Sequence, residues 1–386
     1  MRCLHAVEER LWQHSAGRRN GAISGTRHSL SMTIYWILLA IPALIGLGYS
    51  FDERAGRVSL GHQITLLAFA IAYALVALLR FEVGGDWITY IRMYESVKQY
   101  PLIDAFNITD PGFAFIMWGS AKLGLEVYFV NGIAALLLAL GVIRVAATTR
   151  NPWMAVTISV PYLLIVVGMG YVRQAAAIGL VLSASATMGR GQTTRTFINL
   201  GLALLLHSTS VVTWPLFAAV MARRNKLQLV LLVVLGSAAF LFFVSSRLGR
   251  FESGYIGDKY DSSGALVRLL MGVVPSLVLI FRYRVFSASA QNSDFWLLVA
   301  LSNMALLVSL YFVQSSTAVD RLALFFAPVQ IVVFGEMAGL VGSSPQTRLL
   351  LRFGLVGIAV AVQMVWLLYA THANLWVPYK TILSTL

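Results

Sequence analysis

Four short constellations in this chain combine residue types that could do chemistry. The first is Arg80-Phe-Glu-Val-Gly-Gly-Asp86-Trp-Ile-Thr-Tyr90. Gly84 and Gly85 permit tight turns and close approach of a ligand to the backbone. Arg80 offers the planar fork of donors that suits phosphate. Asp86 is a base or the partner that orients Arg80, and the same residues would also serve as a loop salt-bridged at lipid headgroups. The second is Tyr171-Val-Arg173-Gln174, where an arginine opens an apolar run with no acid near it in sequence. Such a charge faces a cavity or an anionic partner, or it snorkels to headgroups. The third is His207-Ser208-Thr209-Ser210, after a leucine-rich half-span. A histidine at that break is a general base near neutral pH, a contact to substrate, or a satisfied structural residue. The fourth is Asp320-Arg321, with Ser315, Ser316 and Thr317 beside it. The two adjacent charges either pair structurally or belong to a site.

Other chemistry is weaker or excluded. His207 has no His or Cys at ligand spacing and Cys3 is the only cysteine, so neither a metal centre nor a disulfide framework is expected. No Walker-type glycine loop, His-Glu-x-x-His helix or Gly-x-Ser-x-Gly elbow occurs, which excludes a pump with its own ATPase domain. Glu336 lies inside an apolar segment, where an acid is a functional candidate or one end of a helix-to-helix hydrogen bond. The stretch 246–265 mixes Arg247, Arg250, Glu252, Asp258, Lys259 and Asp261 with Tyr255 and Tyr260, a composition suited to a sugar and equally to a solvated loop. Asn107-Ile-Thr109 matches a glycosylation sequon, of weight only in a eukaryotic secretory context. The C-terminal Asn374-Leu-Trp376-Val-Pro378-Tyr379-Lys380 has the pattern of an interfacial aromatic anchor.

Apolar elements must position these residues. The chain has 386 residues, 58% hydrophobic and 12% charged, with a mean hydropathy of +0.77. A soluble domain carries about a quarter charged residues, so this chain lacks the polar surface to coat a globule in water and is solvated by lipid. A spanning helix needs about 20 mostly apolar residues. Candidates are 33–50, 61–79, 125–143, 153–169, 174–189, 227–245, 266–281, 295–313, 322–341 and 353–370. The apolar stretch 111–123 is too short to cross. His207, Ser208 and Pro215 interrupt 196–221, making it a broken helix or the two arms of a re-entrant hairpin. Irregular backbone of that kind is tolerated at membrane depth where it lines a protein cavity. The expected fold is therefore all-α, a polytopic integral membrane protein with about 10–12 transmembrane helices. A basic tail (1–31) precedes one transmembrane domain (32–386), whose long polar loops are 80–110 and 246–265.

The net charge is +13. In a soluble protein it would suggest nucleic acid; here it poses a question of sides. If 111–123 does not cross and 196–221 enters and returns, one side collects a net +10 in its loops and the other +1. The positive side is expected to be cytoplasmic, although counting Lys and Arg alone narrows the difference. Arg80, Arg173 and Arg321 then fall at outer ends of spans. The tail holds Arg2, Arg10, Arg18, Arg19 and Arg27 but no apolar core of a signal peptide. Met32 directly precedes the first span and is an alternative start of translation.

The order of these motifs is similar to that of the EpsG family. An arginine–glycine–aspartate–tyrosine loop after the second span (Arg80, Gly84, Gly85, Asp86, Tyr90) comes first. Arg-Gln opening a later span (Arg173, Gln174) comes next, then His-Ser after a leucine-rich half-span (His207, Ser208), then an arginine heading a late span (Arg321). The likeness covers about residues 33–380, including the Trp-x-Pro-Tyr tail, and departs from the family in having Gly-Gly-Asp where Gly-Thr-Asp is commoner. The resemblance implies a GT-C-like membrane glycosyltransferase of bacterial exopolysaccharide or O-antigen synthesis, related in role to Wzy polymerases. It would be a multi-pass protein of the bacterial inner membrane, acting on the outer face. Donor and acceptor would be lipid-linked oligosaccharides on undecaprenyl pyrophosphate, joined without metal or cofactor. Arg80, Arg173, Arg321, Gln174 and Tyr90 would bind substrate and pyrophosphate, and His207 and Asp86 would be catalytic. A flippase for the same lipid is the main alternative, but it should place cations along a cavity at mid-depth. A ligase-type transferase using the same donor, or a membrane acyltransferase, are further alternatives. The resemblance leaves room for a chain-length regulator and a flippase as protein partners.

Overall fold

The computed structural model describes residues 25–50, 58–222, 265–289, 291–312, 316–340 and 344–384, with four isolated positions between 230 and 237. The tail through residue 24, nearly all of the candidate span 227–245, the stretch 246–264 and Ser315 lie outside the described residues. The described chain is helical throughout, and its one extended pairing is an isolated bridge between Arg80 and Thr381. Lipid supplies no hydrogen bonds, so a segment that crosses it must satisfy its backbone internally, and apolar runs become helices.

The helices are α1 (Gly25–Gly48), α2 (Leu60–Leu79), α3 (Trp87–Gln99), α4 (Pro111–Lys122), α5 (Glu126–Ala146), α6 (Pro152–Gly170) and α7 (Val172–Gly189). They continue with α8 (Thr193–Leu206), α9 (Trp214–Ala222), α10 (Ala265–Phe281), α11 (Ser293–Ser309), α12 (Ser316–Ala323), α13 (Val329–Leu340) and α14 (Pro345–Tyr369). Four of them, α2, α5, α6 and α14, are long and apolar enough to cross a membrane, and several shorter apolar helices join them. The protein is an all-α, multi-pass membrane protein.

Helix α6 is the axis of the bundle, buried along its whole length. Two of its hydroxyls turn back on its own carbonyls, Thr157 on Trp153 O at 2.7 Å and Ser159 on Ala155 O at 2.8 Å, so burial strands neither. From Val160 to Val167 the helix widens to a π-helix, with Pro161 in its first turn lacking an N–H. The widened ladder leaves carbonyls for other partners. Leu164 O accepts from Tyr73 at 2.6 Å and Ile165 O from the Trp376 indole at 3.3 Å. Beside α6, α5 and α7 approach closely at glycines. A Cβ on Gly141 would collide with Gly179 O, and one on Gly179 with Leu137 O. Such small-residue contacts suit lipid, where helices gain nothing hydrophobic by associating.

The two ends of the bundle are told apart by their contacts. At the far end Asn151 donates to Gly46 O at 2.9 Å, Arg144 to Ser183 at 2.8 Å, and Arg352 to Leu47 O and Tyr49 O at 3.0 and 2.7 Å. Glu336 accepts from Arg150 N at 3.2 Å there, and so ties two helices together. At the opposite end lie the ends of α2, α6 and α8 and the starts of α7 and α10, and all four sequence constellations sit there.

Three expectations need correction. The stretch 80–110 is not mainly loop, since α3 and a turn at Leu102–Ala105 occupy it. The span expected at 322–341 is broken: a run of turns over 324–328 separates α12 from α13, and Arg321 lies in the last turn of α12 instead of heading the span. Pro328 explains the break, because it lacks an N–H and biases the preceding residue away from helix. The C-terminal aromatics are not a lipid-facing anchor. Trp376 is 2% exposed, and Tyr35 and Tyr379 hydroxyls donate to Trp376 O and Val76 O at 2.8 and 2.7 Å.

Candidate functional site

Arg80 stands at the end of α2, and its guanidinium points inward. It is 1% exposed. Nη1 donates to Val83 O at 2.7 Å and to Met169 O, and Nη2 donates to Asn131 Oδ1 at 3.0 Å. The Trp87 ring lies 5.5 Å away on another side. Gly84 is what lets the loop close over this arginine. Its φ of +106° is left to glycine, and a Cβ there would strike Met169 O and Arg80 Nη1. The C-terminal tail clamps the same loop, with Gly84 N donating to Leu375 O at 2.8 Å and Phe81 N to Lys380 O at 2.9 Å. Arg80 is thus a buried joint between α2, α5, α6 and the tail, and its guanidinium faces protein on the sides these contacts occupy.

Asp86 begins α3 and is only partly buried. Burial raises its carboxyl above the usual carboxylate range, while Arg321, then Arg173, then Arg80 pull it back down. Asp86 therefore feels the cations of three of the constellations. Tyr90, one turn further, is buried, and its hydroxyl accepts from Arg173 N at 3.2 Å. That N–H belongs to the first turn of α7, where a helix has no acceptor of its own.

The chain reverses between α6 and α7 at Tyr171 alone, whose φ and ψ are −117° and 59°. This tight corner puts Arg173 at the mouth of α7. Its Nη1 donates to Thr109 Oγ1 at 3.0 Å and to Asp110 Oδ2 at 3.2 Å, and its side chain is 27% exposed. Gln174, next along, donates from Nε2 to Arg321 O at 2.5 Å and so pins the end of α12 to α7. Arg321 then lies over the Tyr171 ring at 4.0 Å, a cation–π contact. Asp320 is engaged elsewhere: Arg268 grips it through Nε at 2.7 Å and Nη2 at 2.9 Å. Among the described residues no carboxylate lies within ion-pair distance of Arg321.

His207 follows α8 in an extended conformation, φ −155° and ψ 107°, before a 3₁₀ turn over Ser208–Thr213. The segment enters and returns. Phe217 in α9 packs on Phe295 at 4.7 Å, and Asn292 nearby donates to Ser185 O towards the far end of α7. His207 thus marks the tip of a hairpin whose arms are each too short to cross, α8 being about 21 Å long at 1.5 Å per residue. Its ring stacks on Phe325 at 6.4 Å between centroids, and its Nδ1 lies 3.5 Å from Asp110 Oδ2. Ser208 N donates to Asp110 Oδ1 at 3.3 Å.

The fold thus brings Asp86, Arg173, His207 and Arg321 to one end of the bundle, and puts Arg80, Tyr90 and Gln174 behind them, bound to backbone or neighbouring helices. Tyr171, from the second constellation, completes the set with Asp110, Thr109 and Arg268, which were not singled out as site residues. Asp-Pro at the head of a short apolar helix was the available signal for Asp110: it sits at the N-cap of α4, yet its side chain makes no cap hydrogen bond and turns to Arg173 and His207 instead. Among the described residues no group of three His, Cys, Asp or Glu gathers as metal ligands. The cluster offers guanidinium groups for phosphate, a histidine for proton transfer, and carboxylates to orient both.

No curated protein and no solved structure matches the chain. The EpsG family model matches residues 63–381, from α2 through the tail that clamps the Arg80 loop. The chain belongs to the EpsG family.

Proposed function

We propose that the protein is a membrane glycosyltransferase that polymerises undecaprenyl-pyrophosphate-linked oligosaccharide units on the outer face of the bacterial inner membrane. The observation that carries the reading is the convergence of Arg173, Arg321, Asp86 and His207 at one end of the bundle, contributed by four separate elements. In the reaction, an acceptor hydroxyl attacks C1 of the donor's reducing-end sugar. The bond from C1 to the pyrophosphate oxygen breaks, and undecaprenyl pyrophosphate leaves with the electron pair. Charge develops on the leaving pyrophosphate, which is where fixed cations lower the barrier. Arg173 and Arg321 take that role. His207 accepts the hydroxyl proton. Asp86, facing the same cations, orients the acceptor sugar, while Arg80, Tyr90 and Gln174 hold the frame. A polyprenyl chain needs an apolar groove between helices, and the broken segment at His207 is the element that would supply it.

The test is purified protein with a synthetic lipid-linked repeat unit and neither nucleotide sugar nor acyl-CoA. A ladder of products supports the polymerase. Unaltered substrate carried across liposomes would instead identify a flippase. Arg321→Ala should abolish the ladder while leaving folded protein in the membrane, and Arg173→Ala should abolish it at a cost in stability, because it takes a cation from the buried Asp110.

A further inference from the structure

Asp110 is 1% exposed and carries a carboxylate that three groups from two other elements approach. Arg173 Nη1 from α7 lies 3.2 Å from Oδ2, and His207 Nδ1 lies 3.5 Å from the same oxygen. Ser208 N donates to Oδ1 at 3.3 Å. Asp110 is held for this task. Its backbone carbonyl starts α4 by accepting from Ala114 N at 2.8 Å, and Gly112 lets the start of α4 press against the Leu205 backbone, where a Cβ would sit 3.0 Å from its carbonyl. The α8 hairpin tip and the α7 mouth are therefore tied to one carboxylate. A buried carboxylate must be paired, and this one is paired to the cation and the base that the proposed reaction uses.

We propose that Asp110 is the positioning residue of this site, setting the base and the pyrophosphate-binding cation in one geometry. The inference rests on the transferase reading above. With Nδ1 turned to Asp110, His207 presents Nε2 to the acceptor hydroxyl, and Phe325 fixes the plane of the ring. As the acceptor oxygen bonds to C1 and its proton passes to Nε2, the imidazole becomes a cation facing Oδ2. The carboxylate is then shared between two cations, and Arg173 has more of its charge to give to the departing pyrophosphate. Proton removal and leaving-group stabilisation are thereby joined through one oxygen. The charged groups that face His207 are Asp110 from α4, Arg173 from α7 and Arg321 from α12. Asp110 is the anion among them, so the acid limb of the pH–kcat profile should follow its charge.

The test measures kcat, KM and the pH–kcat profile of the full-length protein with the synthetic lipid-linked unit. Asp110→Asn should lower kcat by about 100-fold, the lower end of what a positioned base contributes. Its acid limb should move to lower pH, because the carboxylate no longer favours the protonated ring. Asp110→Glu keeps the charge and should keep the limb in place at reduced kcat. Thr109→Val removes only the hydroxyl that Arg173 also uses; it should raise KM and leave the limb alone. A wild-type kcat and limb in Asp110→Asn would overturn the proposal while leaving the transferase intact. Should Asp110→Asn not fold, the other two variants decide: a limb that moves equally in both follows packing and refutes the role of charge. Wild-type protein that builds no ladder would sink the transferase reading and this one with it.

Discussion

Arg80 and Arg321 look alike in the sequence, each an arginine beside a span, but their surroundings predict opposite phenotypes. Consider Arg80→Gln. The guanidinium now serves Val83 O, Met169 O and Asn131 Oδ1, all in the buried joint behind Gly84. A glutamine amide is shorter, has two donors, and can meet at most one of these acceptors without moving α2. Two buried acceptors left without donors cost about 1–3 kcal/mol each. The expected loss is therefore ~2–6 kcal/mol, a large part of the ~5–15 kcal/mol that typically separates folded from unfolded protein. Arg321→Gln removes a cation resting on Tyr171 at 4.0 Å, with no carboxylate of the described residues in ion-pair range. That contact is worth about 0.5–2 kcal/mol, and the main-chain anchor to Gln174 survives the substitution because it uses Arg321 O. The assay pairs a melting curve, from size-exclusion profiles of heated detergent-solubilised protein, with the ladder reaction. Arg80→Gln should melt well below wild type, with an unchanged KM in the fraction that remains folded. Arg321→Gln should melt close to wild type and make no ladder. An Arg80→Gln protein that melts like wild type but binds substrate poorly would refute the reasoning, and would return Arg80 to the set of phosphate ligands.

Two further outcomes are expected. Removing Arg268 by Arg268→Gln takes the two-pronged grip from the buried Asp320 carboxylate and should lower the melting temperature, free α12 and weaken the ladder; the double variant with Asp320→Asn should recover part of the melting temperature, and no recovery would mean the fork is not what holds α12. For Asp86, the folded carboxyl is raised by burial against the opposing pull of Arg321, Arg173 and Arg80. A raised acid destabilises the fold while ionised, a cost present near neutral pH that disappears as pH falls through the folded value. Asp86→Asn should accordingly raise the melting temperature near neutral pH, lose that advantage in acid, and slow polymerisation; equal melting shifts at both pH values would contradict it.

Much of the scaffold was legible because lipid couples hydropathy to helix formation. The runs 61–79, 125–143 and 153–169 became Leu60–Leu79, Glu126–Ala146 and Pro152–Gly170, since an apolar segment in lipid has no other way to satisfy its backbone. The interruption at His207 was legible for the same reason, a polar trio and a proline in mid-run. Pro328 carried the signal for the break between α12 and α13, but the apolar residues around it masked it. Trp376 was misread because an aromatic near a bilayer surface has the same composition whether it faces headgroups or a neighbouring helix. Its partner is the carbonyl of Ile165 in the widened stretch of α6 between Val160 and Val167, and no pattern in the tail could report that.

The same widening bears on how the arginines divide. A charged side chain at the end of a span has two ways to be satisfied, by main-chain carbonyls that a helix leaves over or by an anion from outside. Arg80 reaches Met169 O just past the π-helical stretch, and Arg352 reaches Leu47 O at the end of α1 and Tyr49 O just beyond it. Both are bound by carbonyls that helix geometry supplies. Arg173 and Arg321 sit beyond the corner at Tyr171, where α6 has ended and α7 presents N–H groups, not carbonyls. Arg173 is therefore met by Thr109 and Asp110 from α4, and Arg321 by an aromatic face. An anionic ligand entering there would meet cations and the N-terminal end of α7 together, which is the favourable arrangement for phosphate. The polarity of the α6–α7 corner, set by the single residue Tyr171, thus separates the arginines held by main-chain carbonyls from those met by side chains.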